Sequence, residues 1–100
     1  MRVTISVTKR DIERGCRSEC CSCPIALAIN RRLKEQYNAH VNRTFLRLFK
    51  KHAVNWGTVL PIRVMTFVDQ FDDCKAVKPF RFQVDIPKKY LRERGVRRNG

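Results

Sequence analysis

Four cysteines within eight residues, Cys16, Cys20, Cys21 and Cys23, form the densest set of reactive side chains in the sequence. As thiolates they could enclose a tetrahedral Zn²⁺, but structural zinc sites draw together two separated ligand pairs. The distant candidates here are only Cys74, His40 and His52. Cys20-x-x-Cys23 at the start of a helix also has the form of a redox pair, in which the helix dipole lowers a thiol pKa. No βαβ pattern surrounds it. The simplest reading is unligated thiols in a loop, with no metal and no cofactor. Asp69, Asp72 and Asp73 are the carboxylates a metal-dependent nuclease would want, yet no second acidic cluster or general base accompanies them, and pairing with Arg81 or Lys75 is simpler. His40 and His52 have no Ser, Cys or Asp partner at a triad spacing. These residue types argue for a protein that is not an enzyme.

The charge points elsewhere. The chain has 100 residues, 22 Lys and Arg against 9 Asp and Glu, and a net charge of +13. The excess falls in two blocks. Residues 30–51 carry Arg31, Arg32, Lys34, Arg43, Arg47, Lys50 and Lys51 against Glu35 alone, and residues 88–100 carry Lys88, Lys89, Arg92, Arg94, Arg97 and Arg98 against Glu93 alone. Residues 52–87 balance. Generic solubilising charge intersperses the signs, whereas blocks of one sign attract polyanions, above all nucleic acid, by releasing its condensed counterions. Phe45, Phe49, His52, Trp56, Phe80, Phe82 and Tyr90 lie in or beside these blocks, as stacking on single strands requires. Most of them are expected in the core, with Trp56 and Tyr90 the exposed ones. No helix-turn-helix, RNP, KH or zinc-finger spacing is present, which argues for backbone contact over sequence readout. The partner is therefore expected to be a DNA or RNA backbone, or an acidic protein.

Elements must position these residues. Val3, Ile5 and Val7 alternate with polar residues as a half-buried strand. Thr8 and Asp11 have the spacing of a capping box for a short helix ending at Gly15. Pro24 suits the first turn of a helix whose apolar face, Ile25, Ala28, Ile29 and Leu33, runs to about Gln36, with Arg31 and Lys34 exposed. Segment 41–56 fits a helical stripe, or two strands in which Val41, Arg43, Phe45, Arg47 and Phe49 share one face and Leu46 and Leu48 the other. Strands are favoured, because nothing caps a helix there. Leu60-Pro61 opens a helix with Val64, Phe67, Val68 and Phe71 on one face. Phe80, Phe82, Val84 and Ile86 form a last strand, closed by Pro87; Lys88 onwards can add a helical turn stopped by Gly95. The fold class is α+β: a small, mainly antiparallel sheet with two main helices. Residues 1–87 read as one domain and 88–100 as a basic tail, an electrostatic arm separable from the fold.

The order of these pieces is itself familiar. VTISVTKRDIERG at residues 3–15 precedes a Cys-rich loop into Cys23-Pro24-Ile25-Ala26-Leu27-Ala28-Ile29. Leu60-Pro61 then precedes Phe67-Val68-x-x-Phe71-Asp72, Pro79-Phe80-x-Phe82 and Ile86-Pro87. This resembles a family of short, uncharacterised proteins encoded by bacteriophages and prophages. The resemblance implies a phage accessory protein acting in the cytoplasm of an infected bacterium. The absence of an apolar span, of a secretory leader pattern and of spread, paired cysteines agrees with that compartment. Two functions follow as expectations: nucleic-acid binding through phosphates without strong sequence preference, or a host-takeover or anti-defence role on an acidic patch of a bacterial protein.

Overall fold

The alternation at the start of the chain builds the first strand, β1 (Arg2–Val7), which buries Val3, Ile5 and Val7 and exposes the residues between them. The computed structural model describes residues 1–16, 22–42 and 44–92. Their order is β1, α1 (Lys9–Arg14), α2 (Pro24–Asn30), β2 (Tyr37–Val41), β3 (Phe45–Lys50), β4 (Ala53–Val59), α3 (Ile62–Asp72), β5 (Phe80–Asp85) and a 3₁₀ turn at Lys88–Tyr90. The fold is α+β, with two antiparallel sheets: β1 with β5, and β2–β3–β4 in that order.

β1 and β5 join the two ends of the domain. Val3 lies opposite Val84, Ile5 opposite Phe82 and Val7 opposite Phe80, so one face of the pair is apolar throughout. α3 packs its buried Val64, Phe67, Val68 and Phe71 inward, and the Phe67 ring meets Phe80 at 4.9 Å.

Thr8 ends β1 and starts α1. Its hydroxyl accepts from the Asp11 N–H at 3.1 Å, and its own N–H donates to the Asp11 carboxylate at 2.9 Å, a reciprocal capping box with Asp in place of the usual Glu. Gly15 closes α1, but in extended conformation at φ −69°, so no left-handed backbone demands it. Its requirement is space: a Cβ there would stand 2.5 Å from Cδ of Pro24.

α2 begins as expected, with Pro24 in its first turn and Cys23 as N-cap, the thiol sulfur accepting from the Ala26 N–H at 3.4 Å. Ile25, Ile29 and Leu33 are all buried. The helix ends at Asn30, well short of Gln36. Leu33 keeps the helical spacing but is held by a β-bridge to Leu91, and the Asn30 side chain accepts from the Ala39 N–H at 2.8 Å, drawing β2 against the helix end.

Segment 41–56 is β-structure, with a break that a single face from Val41 to Phe49 did not anticipate. The Asn42 carboxamide accepts from the N–H groups of Thr44 and Phe45, at 3.0 and 2.8 Å. Such an Asx turn reverses the chain, so Val41 ends β2 facing the core while Phe45 starts β3 facing away from it.

Residues 88–92 require a correction. They belong to the domain and not to a separable arm. Tyr90 is 4% exposed and Leu91 6%. The Tyr90 ring meets Tyr37 edge-on at 4.8 Å, its hydroxyl donates to the Asn55 carbonyl at 3.3 Å, and its carbonyl accepts from the Lys34 N–H. Tyr90 is thus not an exposed aromatic, and Trp56, 6.1 Å from it, is half-buried. In the sequence Pro87 marks a strand end, and the apolar pair Tyr90-Leu91 beyond it is too short a signal to outweigh six basic neighbours. The part of the expected tail at 93–100 lies outside the described residues.

Leu91→Ala should therefore destabilise the protein by about 2–4 kcal/mol, as truncation of a buried leucine does, and deletion after Pro87 should cost more still. Urea titration followed by circular dichroism measures both; an unchanged midpoint in either variant would detach this segment from the core.

Candidate functional site

The inner face of the three-stranded sheet is the core: Ala39 and Val41 on β2, Leu46 and Leu48 on β3, all 3% exposed or less. Since side chains alternate across a strand, the residues between them must face outward. On β3 these are Phe45, Arg47 and Phe49. The register places His40 of β2 opposite Arg47, and Asn38 opposite Phe49. On β4, Val59 lies opposite Phe45, Gly57 opposite Arg47 and Val54 opposite Phe49. The register shifts between Leu48 and Phe49, leaving Asn55 as the extra residue of a bulge.

The outward groups touch one another. His40 stacks on Phe49 with ring centroids 4.0 Å apart and planes 26° from parallel. The Arg47 guanidinium lies over the Phe45 ring, 4.9 Å from its centroid, a cation–π arrangement. Gly57 eases the packing beside this pair, since a Cβ there would come within 3.1 Å of the Leu46 carbonyl oxygen and 3.2 Å of the Phe45 ring edge. Val54 and Val59, 55% and 59% exposed, complete an apolar rim. Lys50, Lys51 and His52 stand exposed where β3 turns into β4, with Lys51 in the left-handed region at φ 59°. No Asp or Glu occurs anywhere from Gln36 to Val68. The result is an aromatic and apolar surface with an arginine at its centre, lysines at one end and no acidic residue in its three strands.

The structure divides the first basic block. Arg47 belongs to the outer sheet face, Lys50 stands exposed at the end of β3 and Lys51 in the turn beyond it, and Arg43 lies outside the described residues. Arg31 and Arg32 act on β1 instead. Both terminal nitrogens of Arg31 donate to the Asp11 carboxylate, at 2.9 and 2.8 Å, and one also donates to the Ser6 carbonyl at 2.9 Å. Arg32 donates to the Thr4 carbonyl at 2.8 Å. The two guanidinium groups thus satisfy carbonyls along the side of β1 away from β5, where an open edge would invite pairing with another chain. With its charge held by Asp11, Arg31 adds little to a face for polyanions. Lys34 is half-buried, tied through its N–H to Tyr90. Lys88, Lys89 and Arg92 are exposed around the 3₁₀ turn, with the Lys89 ammonium 5.3 Å from the Tyr90 ring centre. Arg94, Arg97 and Arg98 lie outside the described residues.

Among the described residues no three His, Cys, Asp or Glu side chains group as a metal site. Cys23 is buried as the α2 cap, Cys16 and Cys74 are exposed, and Cys20 and Cys21 are not described. Nor is any helix of the described residues long and apolar enough to cross a membrane. His40 and Gly57 are the contributors to the sheet face that sequence reasoning missed. The spacing of the histidine bears only on catalysis or ligation, and the glycine carries no signal without the register. No family model, curated protein or solved structure matches the chain.

The Asp11 side chain is 5% exposed. Burial alone would raise its pKa, but the Arg31 hydrogen bonds, the Thr8 N–H, the Arg31 charge and the Thr8 hydroxyl together hold it below the ordinary carboxylate value. A depressed folded-state pKa contributes stability above the unfolded pKa, and that stability is lost as pH falls through the folded value. Arg31→Ala should cost about 1–3 kcal/mol by leaving a buried carboxylate short of donors, where a free surface arginine would cost under about 0.5. In thermal melts from pH 7 down to pH 2, the gap between parent and variant should be widest near pH 7 and narrow as the pH falls below the ordinary carboxylate value, because only the parent holds the Arg31-dependent stability that protonation of Asp11 removes. Matching melts for parent and variant at pH 7 would return Arg31 to the free surface charges.

Proposed function

We propose that this chain is a small, basic, non-enzymatic protein that binds nucleic acid through backbone phosphates, without strong sequence preference, in the cytoplasm of a phage-infected bacterium. The observation that carries the reading is the acid-free three-stranded sheet, with Arg47 central on its outer face and Lys50 and Lys51 at its end. Surfaces of one sign attract phosphate chains and release their counterions, and an arginine without a carboxylate on its face is free to take a phosphate by paired hydrogen bonds. Lys88, Lys89 and Arg92 extend the positive surface. The phage setting rests on the resemblance in sequence.

A second reading has its own support. A groove of about 360 Å³ runs between α3 and the approach to β5, floored by Phe67, Val77 and Phe80 and edged by Ile62, which is 76% exposed. Arg63 lies over the Phe80 ring, and Lys78 stands at the rim. An acidic, amphipathic segment of a bacterial host protein would suit it. A stoichiometric complex recovered from nuclease-treated lysate, and lost with Ile62→Asp, would place this reading first.

The nucleic-acid reading is tested by salt. Each phosphate contact contributes about 0.7 to the slope of log K against log[salt] on single strands. The triple variant Arg47→Ala, Lys50→Ala, Lys51→Gly should keep its fold, since all three residues are exposed and glycine suits the positive φ of residue 51. Its slope on a labelled oligonucleotide should flatten by roughly 2. An unaltered slope would move the contact elsewhere.

A further inference from the structure

We infer that the outer face of β2–β3–β4 is a stacking platform for unpaired bases, so that the protein takes single strands in preference to duplex. The inference rests on the nucleic-acid reading above and names the form of nucleic acid.

Phosphate contact alone accounts for cations and leaves the aromatics unexplained. Phe45 and Phe49 stand four residues apart on β3, about 13 Å along the strand, with Arg47 between them. Neither ring is needed to fill the core, which Leu46 and Leu48 fill from the opposite face. His40 extends the Phe49 end of the platform onto β2, and Gly57 eases the packing of Phe45 beside β4. The surface is therefore aromatic, with His40 stacked on one face of Phe49 and Arg47 over one face of Phe45, and a base would extend these stacks.

Paired bases present their edges in grooves and keep their faces stacked on one another, out of reach of such a surface. Unpaired bases can turn their faces onto aromatic rings, and every base has a face to offer, so stacking is tolerant of sequence. The arginine at the centre separates this ligand from an apolar protein partner. A protein covering the face would have to bury the Arg47 charge at large desolvation cost unless it supplied an anion there, whereas a strand whose bases lie on Phe45 and Phe49 carries a phosphate between them by its own covalent structure. Ring and cation alternate on β3 as base and phosphate alternate on a strand.

The experiment compares three labelled probes of about 16 nucleotides by fluorescence anisotropy at one salt concentration: an intact single strand, its duplex, and an abasic strand with the same phosphates and no bases. The unaltered protein should bind the intact strand at least about 5-fold tighter than the abasic strand, the yield of even one base–aromatic stack, and tighter than the duplex. Phe45→Leu and Phe49→Leu, which keep apolar bulk on the sheet, should each lower the ratio of intact-strand to abasic affinity. Equal binding of all three probes, or tighter binding of duplex, would overturn the platform while leaving the phosphate reading standing. No binding to any probe at low salt would remove both, and the face would pass to a protein partner. The comparison on unaltered protein decides the question even if a variant folds poorly.

Discussion

A β-strand has a period of two, and β3 cannot place Leu46 and Leu48 in the core without placing Phe45, Arg47 and Phe49 on the other side. A slip of one residue would bury an arginine between two rings and expose two leucines, at a cost of several kcal/mol for the unpaired charge alone. The register is therefore fixed by the core, and the composition of the outer face is its consequence. The turn at Asn42 has a similar effect at the neighbouring strand: by reversing the chain before Phe45, it lets β2 bury Ala39 and Val41 while His40 joins the outer face. The proposed function depends on this division of inner from outer residues more than on total charge.

The remaining basic residues are not equivalent to those of the sheet. Arg31 is fixed by Asp11, which is in turn the capping partner of Thr8. Through this one carboxylate the end of β1, the start of α1 and the end of α2 are joined. Arg32 closes a second carbonyl of β1 and, by its own carbonyl, accepts from the Arg92 N–H. Positive charge near α2 thus serves the fold, holding a short helix against a strand edge, whereas Arg47 faces outward from β3 and Lys50 and Lys51 stand exposed at its end, without such an obligation. Tyr90 and Leu91 then close the domain against Tyr37, Asn55 and Leu33, so the exposed lysines around them are carried on a packed segment.

Most of the elements were legible in the sequence, for physical reasons that can be named. Val3, Ile5 and Val7 alternate cleanly, Thr8 and Asp11 have capping spacing, and Pro24 and Pro61 mark helix starts, each a local signal that the tertiary structure obeys. The alternation of Phe45, Arg47 and Phe49 with Leu46 and Leu48 was visible as well. What misled was information carried by distant residues. Leu33 fits a helical period and a bridge to Leu91 equally well, so the end of α2 could not be placed from spacing. The pairing of Arg31 with Asp11 spans twenty positions and leaves no trace in local pattern, and the burial of Tyr90 depends on Tyr37 and Asn55. The candidate site was half legible: its cations and rings were evident, but which of them share a surface was set by register.

The most direct test of the account is to follow the backbone amide resonances of the full chain by NMR while a single-stranded oligonucleotide is added. The account predicts that the largest shifts fall on Asn38, His40, Phe45, Arg47, Phe49 and Gly57, with little change at Arg63, Phe67 and Lys78 beside the α3 groove. Shifts concentrated at the groove, or spread evenly over every exposed lysine and arginine with the sheet face unmoved, would contradict it.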